Sequence, residues 1–291
     1  MTLLRLLPLA LIAFLANAFA NESRCTDPRP LRLALIPKSN SELQANQYRP
    51  LIDLLAKSLG RPIELIAAPS YGTVIEGLLA NHIDLAELGP ASYAIAMSRG
   101  AQIAAFATVA LRQGPHTDSG TAYRSLLLVR RDSGLRTLAQ LRGKNLSLTD
   151  PASTSGAVLP RQAITQLTGY LPESYFGRVI FAGSHDRAID SLRNRKVDAA
   201  FVASTRLDEA IRRGKVGNDE FAVLWRSELI PYDPFVMRQQ LCAPLQKRIR
   251  EVFLKESGQL KSMFQELDIN GFVSTDNEQY TEIRNLFTTL P

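Results

Sequence analysis

Apolar residues recur along this chain in two alternating rhythms. Residues 31–36 (LRLALI) form a short apolar run closed by Pro37, the pattern of a buried strand. Leu51, Leu54, Leu55 and Leu59 then repeat at helical spacing until Gly60, which predicts a helix over 48–59. The same reading predicts a strand at 63–67, a helix at 73–80, a strand at 83–87, a helix opening at Gly89-Pro90-Ala91, and a strand at 103–110. This alternation predicts a mostly parallel sheet covered on both faces.

A looser stretch, 112–121, carries Gly114, Pro115 and Gly120 and leads to a strong strand at 123–130. The alternation restarts at Asn145 with a strand at 146–148, the loop DPASTSG (150–156) and a helix over 157–167. A strand at 179–182, the turn Gly183-Ser184-His185-Asp186, another helix and a strand at 197–202 follow. A last strand at 222–225 precedes a crossover at 227–234, and 244–290 reads as largely helical.

Two segments echo one another: LLANHIDLAELGPASYAIAM (78–97) and LRNRKVDAAFVASTRLDEAI (192–211), with Asp84 and Asp198 at matching places. Each runs from a helix end through two polar residues into a strand and a second helix. The echo points to two similar α/β lobes, 28–121 plus 226–291 and 122–225, joined by crossing strands. Open α/β sheets place ligands at their strand C-termini, so the cleft between the lobes is the expected site.

The first 20 residues change the picture of location. Arg5 precedes an apolar run, and Ala18-Phe19-Ala20 has the form of a signal-peptidase site, so the mature chain is expected to begin near Asn21 and to be exported. No apolar lipobox precedes Cys25, which argues against a lipid anchor. In an oxidising compartment Cys25 and Cys242 can close a disulfide, although sequence leaves bonded and free forms both open. The formal net charge is +6, and Arg5 leaves with the leader. Basic residues are scattered, which argues against a nucleic-acid stripe and is consistent with small anions as ligands.

Three strand-to-helix junctions share one chemistry: Gly89-Pro90-Ala91-Ser92-Tyr93, Ser153-Thr154-Ser155-Gly156 and Gly183-Ser184-His185-Asp186. Free N–H groups and partial positive charge at a helix start, with hydroxyls added, can hold an oxyanion. Each alone reads first as a helix cap, and three in a two-lobe pattern shift the balance toward an anion seat. DPASTSG lacks the lysine of a nucleotide P-loop, and no serine lies in GxSxG or SxxK. The three histidines, His82, His116 and His185, form no zinc motif.

Taken together, these residues resemble a known family. Tyr48-x-Pro50-Leu51, Asp84-x-Ala86, Gly89-Pro90-x-Ser92-Tyr93, Tyr123-x-Ser125, Asp150-Pro151-x-Ser153-Thr154-Ser155-Gly156 and Gly183-Ser184-His185-Asp186 are similar, in order and spacing, to the phosphonate-binding proteins. Those are periplasmic receptors of ABC importers for phosphonates, phosphite and related phosphorus oxyanions. The resemblance spans roughly 31–254 and implies a two-lobe type II periplasmic-binding-protein fold that closes on its ligand. It implies that Ser153, Thr154 and Ser155 hold the phosphorus oxygens, with Ser125 and His185 as further donors. Tyr48 and Tyr93 would cover the ligand from the other lobe. Asp186 would accept a proton-bearing oxygen or pair with a ligand ammonium. Many relatives carry Asp or Asn near the position of Ala203, and this departure weakens the expectation of an aminoalkyl ligand. The implied partner is an ABC permease of the inner membrane, with no cofactor, metal or nucleic acid and a monomeric receptor. A ligand-sensing subunit for a membrane sensor would share the fold. A secreted phosphate-ester hydrolase is the alternative from another class.

Overall fold

The computed structural model describes residues 25–288, and the expected leader, 1–20, lies outside the described residues. The chain opens with β1 (Leu31–Leu35), α1 (Ser41–Leu59), β2 (Ile63–Ile66), α2 (Tyr71–Leu79), β3 (Leu85–Glu87), α3 (Pro90–Ser98) and β4 (Ile103–Leu111). It crosses through β5 (Ala122–Tyr123) into β6 (Ser125–Arg130), β7 (Asn145–Leu148), α4 (Leu159–Thr168), α5 (Pro172–Tyr175), β8 (Arg178–Phe181), α6 (His185–Arg193), β9 (Ala199–Ala203), α7 (Ser204–Arg212) and β10 (Phe221–Arg226). It returns through β11 (Ile230–Pro231) to β12 (Phe235–Arg238), α8 (Ala243–Leu254), α9 (Lys261–Leu267), β13 (Ile269–Ser274) and α10 (Thr281–Thr288).

These strands make two main sheets, ordered β13-β4-β12-β3-β1-β2 and β10-β6-β9-β7-β8, and the ribbon β11-β5 runs between them. The architecture is the expected two-lobe α/β one. The sheets are mixed, however, where the alternation predicts mostly parallel ones. β1 is parallel to β2 and β3, and β7 to β8 and β9. β12 is antiparallel to both β3 and β4, and β6 to both β9 and β10. The reason is the double crossing: β6 and β12 are the strands by which the chain enters each sheet from the ribbon, and both enter against the local direction. Apolar positions alternate across each sheet as strand geometry requires. Leu31, Leu33 and Leu35 pack on one face and Ala34 with Ile36 on the other; Leu126 and Leu128 oppose Leu127 and Val129.

Two elements depart from the periodicity. α1 begins at Ser41, because the Asn40 side chain accepts hydrogen bonds from the backbone N–H groups of Glu42 and Leu43 at 2.9 and 3.2 Å. Its first half buries Gln44 and Gln47, so it carries no apolar stripe to read. The last segment is not uniformly helical, since β13 pairs antiparallel with β4 there. A register shift beside Gly271, at φ +150°, breaks the two-residue rhythm of that strand and hides it in the sequence.

The echoed aspartates do the same work in both lobes. Arg32 N–H donates to Asp84 Oδ2 and Asp84 N–H to the Arg32 carbonyl, both at 2.9 Å. Asn145 N–H donates to Asp198 Oδ2 and Asp198 N–H to the Asn145 carbonyl, also at 2.9 Å. Each aspartate therefore locks the start of a parallel strand pair. Cys25 and Cys242 are joined in a disulfide that ties the N-terminal segment to the start of α8.

Candidate functional site

The segments that follow β1, β3, β7, β8 and β9 converge between the lobes, and DPASTSG forms their centre. Asp150 accepts from the N–H groups of Ala152 (Oδ1, 2.9 Å) and Ser153 (carbonyl, 2.8 Å), which curls the loop. Ser153 then caps the next turn, its Oγ accepting from Gly156 N–H at 3.1 Å. That turn, Thr154–Val158, is a π-helical one: Val158 N–H reaches the Ser153 carbonyl at 2.9 Å, five residues back. Gly156 has to lack a side chain, because a Cβ there would lie 2.2 Å from Thr149 Oγ1. The lobes meet at this loop. Ala91 N–H donates to Thr154 Oγ1 and Ser92 Oγ to the Ala152 carbonyl, both at 2.8 Å, while Tyr71 N–H reaches Asp150 Oδ2 at 3.3 Å.

Beside the loop is an inner cavity of about 20 Å³, close to the space of one buried water-sized group. Ser153, Thr154, His185, Tyr71 and Tyr123 line it together with Asp233. His185 Nδ1 accepts from Ala203 N–H at 3.1 Å, which leaves the ring proton on Nε2, 3.4 Å from Ser153 Oγ. Burial, with the Arg206 and Lys38 charges acting the same way, pushes the imidazole pKa down to about 3, so His185 stays neutral. Burial likewise pushes the Tyr71 and Tyr123 phenols up, keeping both as O–H donors. Thr154 Oγ1 accepts from Ala91, and its own proton is left to donate. Ser155 Oγ is buried and finds no hydrogen-bond partner among the described residues. Neutral donors of this kind can hold a compact oxyanion reversibly.

Charged side chains surround this neutral floor. Lys38 Nζ lies 2.7 Å from Glu87 Oε1 and 2.8 Å from Asp233 Oδ2, and over the Tyr232 ring at 5.1 Å. Burial would push the Lys38 ammonium pKa down, but Asp233 and Glu87 hold it well above its ordinary value. Arg206 pairs with Asp186 at 2.7 Å and with Glu209. Lys38, Arg206 and Tyr232 also border an outer cavity of about 60 Å³, where Tyr48 and Glu87 lie.

The structure thus sorts the expected residues into four groups. Ser153, Thr154 and His185 share the inner cavity. Ser125 and Ser155 stand just behind it: Ser125 Oγ donates to the Ser155 carbonyl at 2.6 Å. Tyr48 lines the outer cavity, its hydroxyl donating to Glu87 Oε2 at 2.8 Å. Tyr93 lines neither cavity. It is buried in the core of its lobe, edge-on to Tyr280, with its hydroxyl on Asn277 Oδ1 at 2.7 Å. Asp186 does not line either cavity, because its carboxylate is turned to Arg206. Sequence reasoning missed Lys38, Tyr71, Arg206, Tyr232 and Asp233. One signal was available: Lys38 and Glu87 are charges set at the ends of otherwise apolar strands, where α/β sheets present their ligands.

Comparisons with known proteins bear on the family and the fold. Residues 33–280 match the family model for the periplasmic substrate-binding protein of phosphonate ABC transporters. The "Phosphate-import protein PhnD" of Mycolicibacterium smegmatis is 28% identical over 288 residues, covering 94% of this chain and 87% of that protein. The "Phosphonates-binding periplasmic protein" of Escherichia coli is 28% identical over 283 residues, covering 95% and 80%. Among solved structures, a binding component of an ABC phosphonate transporter from Pseudomonas aeruginosa superposes with a TM-score of 0.80 at 23% identity, covering 90% and 86%. PhnD1 of Prochlorococcus marinus, in complex with methylphosphonate, gives 0.75 at 17% identity, covering 91% and 100%. The family match spans most of the sequence, and the chain belongs to the periplasmic substrate-binding proteins of phosphonate ABC transporters.

Proposed function

We propose that this protein captures a small phosphorus oxyanion between its lobes and delivers it, chemically unchanged, to an ABC permease in the inner membrane. The observation that carries this reading is the inner cavity, where Ser153, Thr154, His185, Tyr71 and Tyr123 converge as neutral donors. In the proposed complex Ser153 and Thr154 bind oxygens of the head group through their hydroxyls and the start of the π-turn, and His185 Nε2 donates a third bond. Ser125 and Ser155 keep that turn in place. Units 28–121 plus 226–291 and 122–225 move as the two closing bodies, with the β5–β11 ribbon as the hinge. At about 20 Å³ the inner cavity admits an oxygen of the head group as it stands, and the lobes part to take in the rest, with any organic substituent extending toward the outer cavity past Tyr48 and Arg206. Export follows cleavage near Ala20, which N-terminal sequencing of the secreted protein tests directly.

Two relatives differ in what their names say they take, phosphate for one and phosphonates for the other. The ligand is therefore tested as a series. Isothermal titration of the mature protein with phosphite, methylphosphonate, 2-aminoethylphosphonate and phosphate is expected to show saturable binding of at least one at micromolar concentration. No binding of any of them at millimolar concentration would refute the receptor reading.

A further inference from the structure

A carboxylate beside an oxyanion seat is unfavourable unless a proton lies between the two groups. Asp186 is matched by Arg206. Glu87 divides its oxygens between Lys38 and Tyr48. Asp233 differs from both. It is 6% exposed, lines the inner cavity, and receives Lys38 at Oδ2. Its Oδ1 lies on the side of Gly89: a Cβ built there would be 3.9 Å from Asp233 Oδ1 and 3.4 Å from Thr154 Oγ1. The space that a side chain at Gly89 would fill is thus left open within reach of both the carboxylate and the donor hydroxyl, and the cavity that all three border is the proposed seat.

We propose that Asp233 selects proton-bearing oxyanions, its Oδ1 sharing a single hydrogen with an oxygen of the ligand held by Ser153, Thr154 and His185. The proposal rests on the receptor reading above and deepens it. A phosphonate, phosphite or phosphate brings that proton on its own P–OH group. A sulfonate has none, and would set an anionic oxygen against an ionised carboxylate. The proton stays within one O···H···O bond, so no further reactant is needed. Burial supports the assignment by pushing the Asp233 pKa up to about 6, with Lys38 lowering it and Glu87 raising it. Lys38 keeps Oδ2 occupied, so only Oδ1 is offered to the cavity.

The test is titration of wild type and Asp233→Asn with methylphosphonate and the isosteric methanesulfonate. Wild type is expected to prefer methylphosphonate, and Asp233→Asn to shrink that preference by roughly tenfold to a hundredfold, since an amide can donate to an aprotic oxygen. A second measurement needs no variant. In a medium alkaline enough that free methylphosphonate is a dianion, titrations of wild type in two buffers of different ionisation enthalpy should show uptake of close to one proton per ligand. An unchanged preference in Asp233→Asn, or no proton uptake by wild type, would overturn the role of Asp233 while leaving the receptor reading intact. Failure of wild type to bind methylphosphonate, phosphite or phosphate would overturn both. If Asp233→Asn does not fold, the proton count alone decides.

Discussion

The units that begin at Asp84 and Asp198 share a backbone design and differ in what they carry. Both aspartates pin a strand start with the same two backbone hydrogen bonds. Asp84 is fully buried and also holds Arg32 at 2.8 Å and Arg238 at 2.6 Å, whereas Asp198 makes its backbone contact near the surface. The helix starts then diverge. α3 opens at Gly89-Pro90 and docks on the other lobe through Ala91 N–H and Ser92 Oγ. α7 opens after Ala203 and turns Arg206 toward Asp186 and Glu209. The repeated part builds the frame, and the helix starts differ in what they add: α3 docks on the other lobe through neutral groups, and α7 brings the charge of Arg206.

The largest effect expected from breaking this arrangement is on binding. Ser153→Ala with Thr154→Ala removes two hydrogen bonds to a charged group, each worth about 1.5–3 kcal/mol, so titration should show affinity for the preferred phosphorus ligand falling by roughly a hundredfold to ten-thousandfold. The same pair caps the π-turn and receives α3, so a loss of about 1–3 kcal/mol in urea unfolding should accompany it. Asp84→Ala comes next. It strands Arg32 and the buried Arg238, and urea denaturation should show a loss of about 3–5 kcal/mol.

A comparable effect, spread over a pH window, belongs to His185. Its folded pKa lies below that of the unfolded chain, so the stability it confers is complete above about pH 6.5 and is lost as pH falls toward 3. Denaturation of wild type against His185→Gln should show the difference narrowing in that window by about 1.4 kcal/mol per pH unit. The smallest effect is Asp198→Ala, about 1 kcal/mol. If Asp198→Ala costs as much as Asp84→Ala, the contrast between buried and surface locks fails.

The frame was legible in the sequence because it repeats and because burial writes itself as periodicity. The alternation of strands and helices, the paired aspartates and DPASTSG all follow from local pattern. What stayed hidden depends on partners far apart in the chain. Nothing near Asp186 announces that Arg206 neutralises it. Lys38 and Asp233 lie far apart in the chain and meet only after the second crossing brings β12 in beside β3. Tyr93 shows the limit of motif reading: it follows Gly89-Pro90 at a helix mouth, yet its ring turns into the core beside Tyr280. Even β13 was concealed by a single bulged glycine.

The inner cavity is proposed as the place where the ligand's oxyanion sits. A crystal structure of the mature protein with methylphosphonate tests it most directly. Phosphorus is expected at that cavity, with its oxygens in hydrogen-bond range of Ser153, Thr154 and His185 and one of them facing Asp233. Ligand found only in the outer cavity, beside Tyr48 and Arg206 with the inner donors untouched, would contradict it.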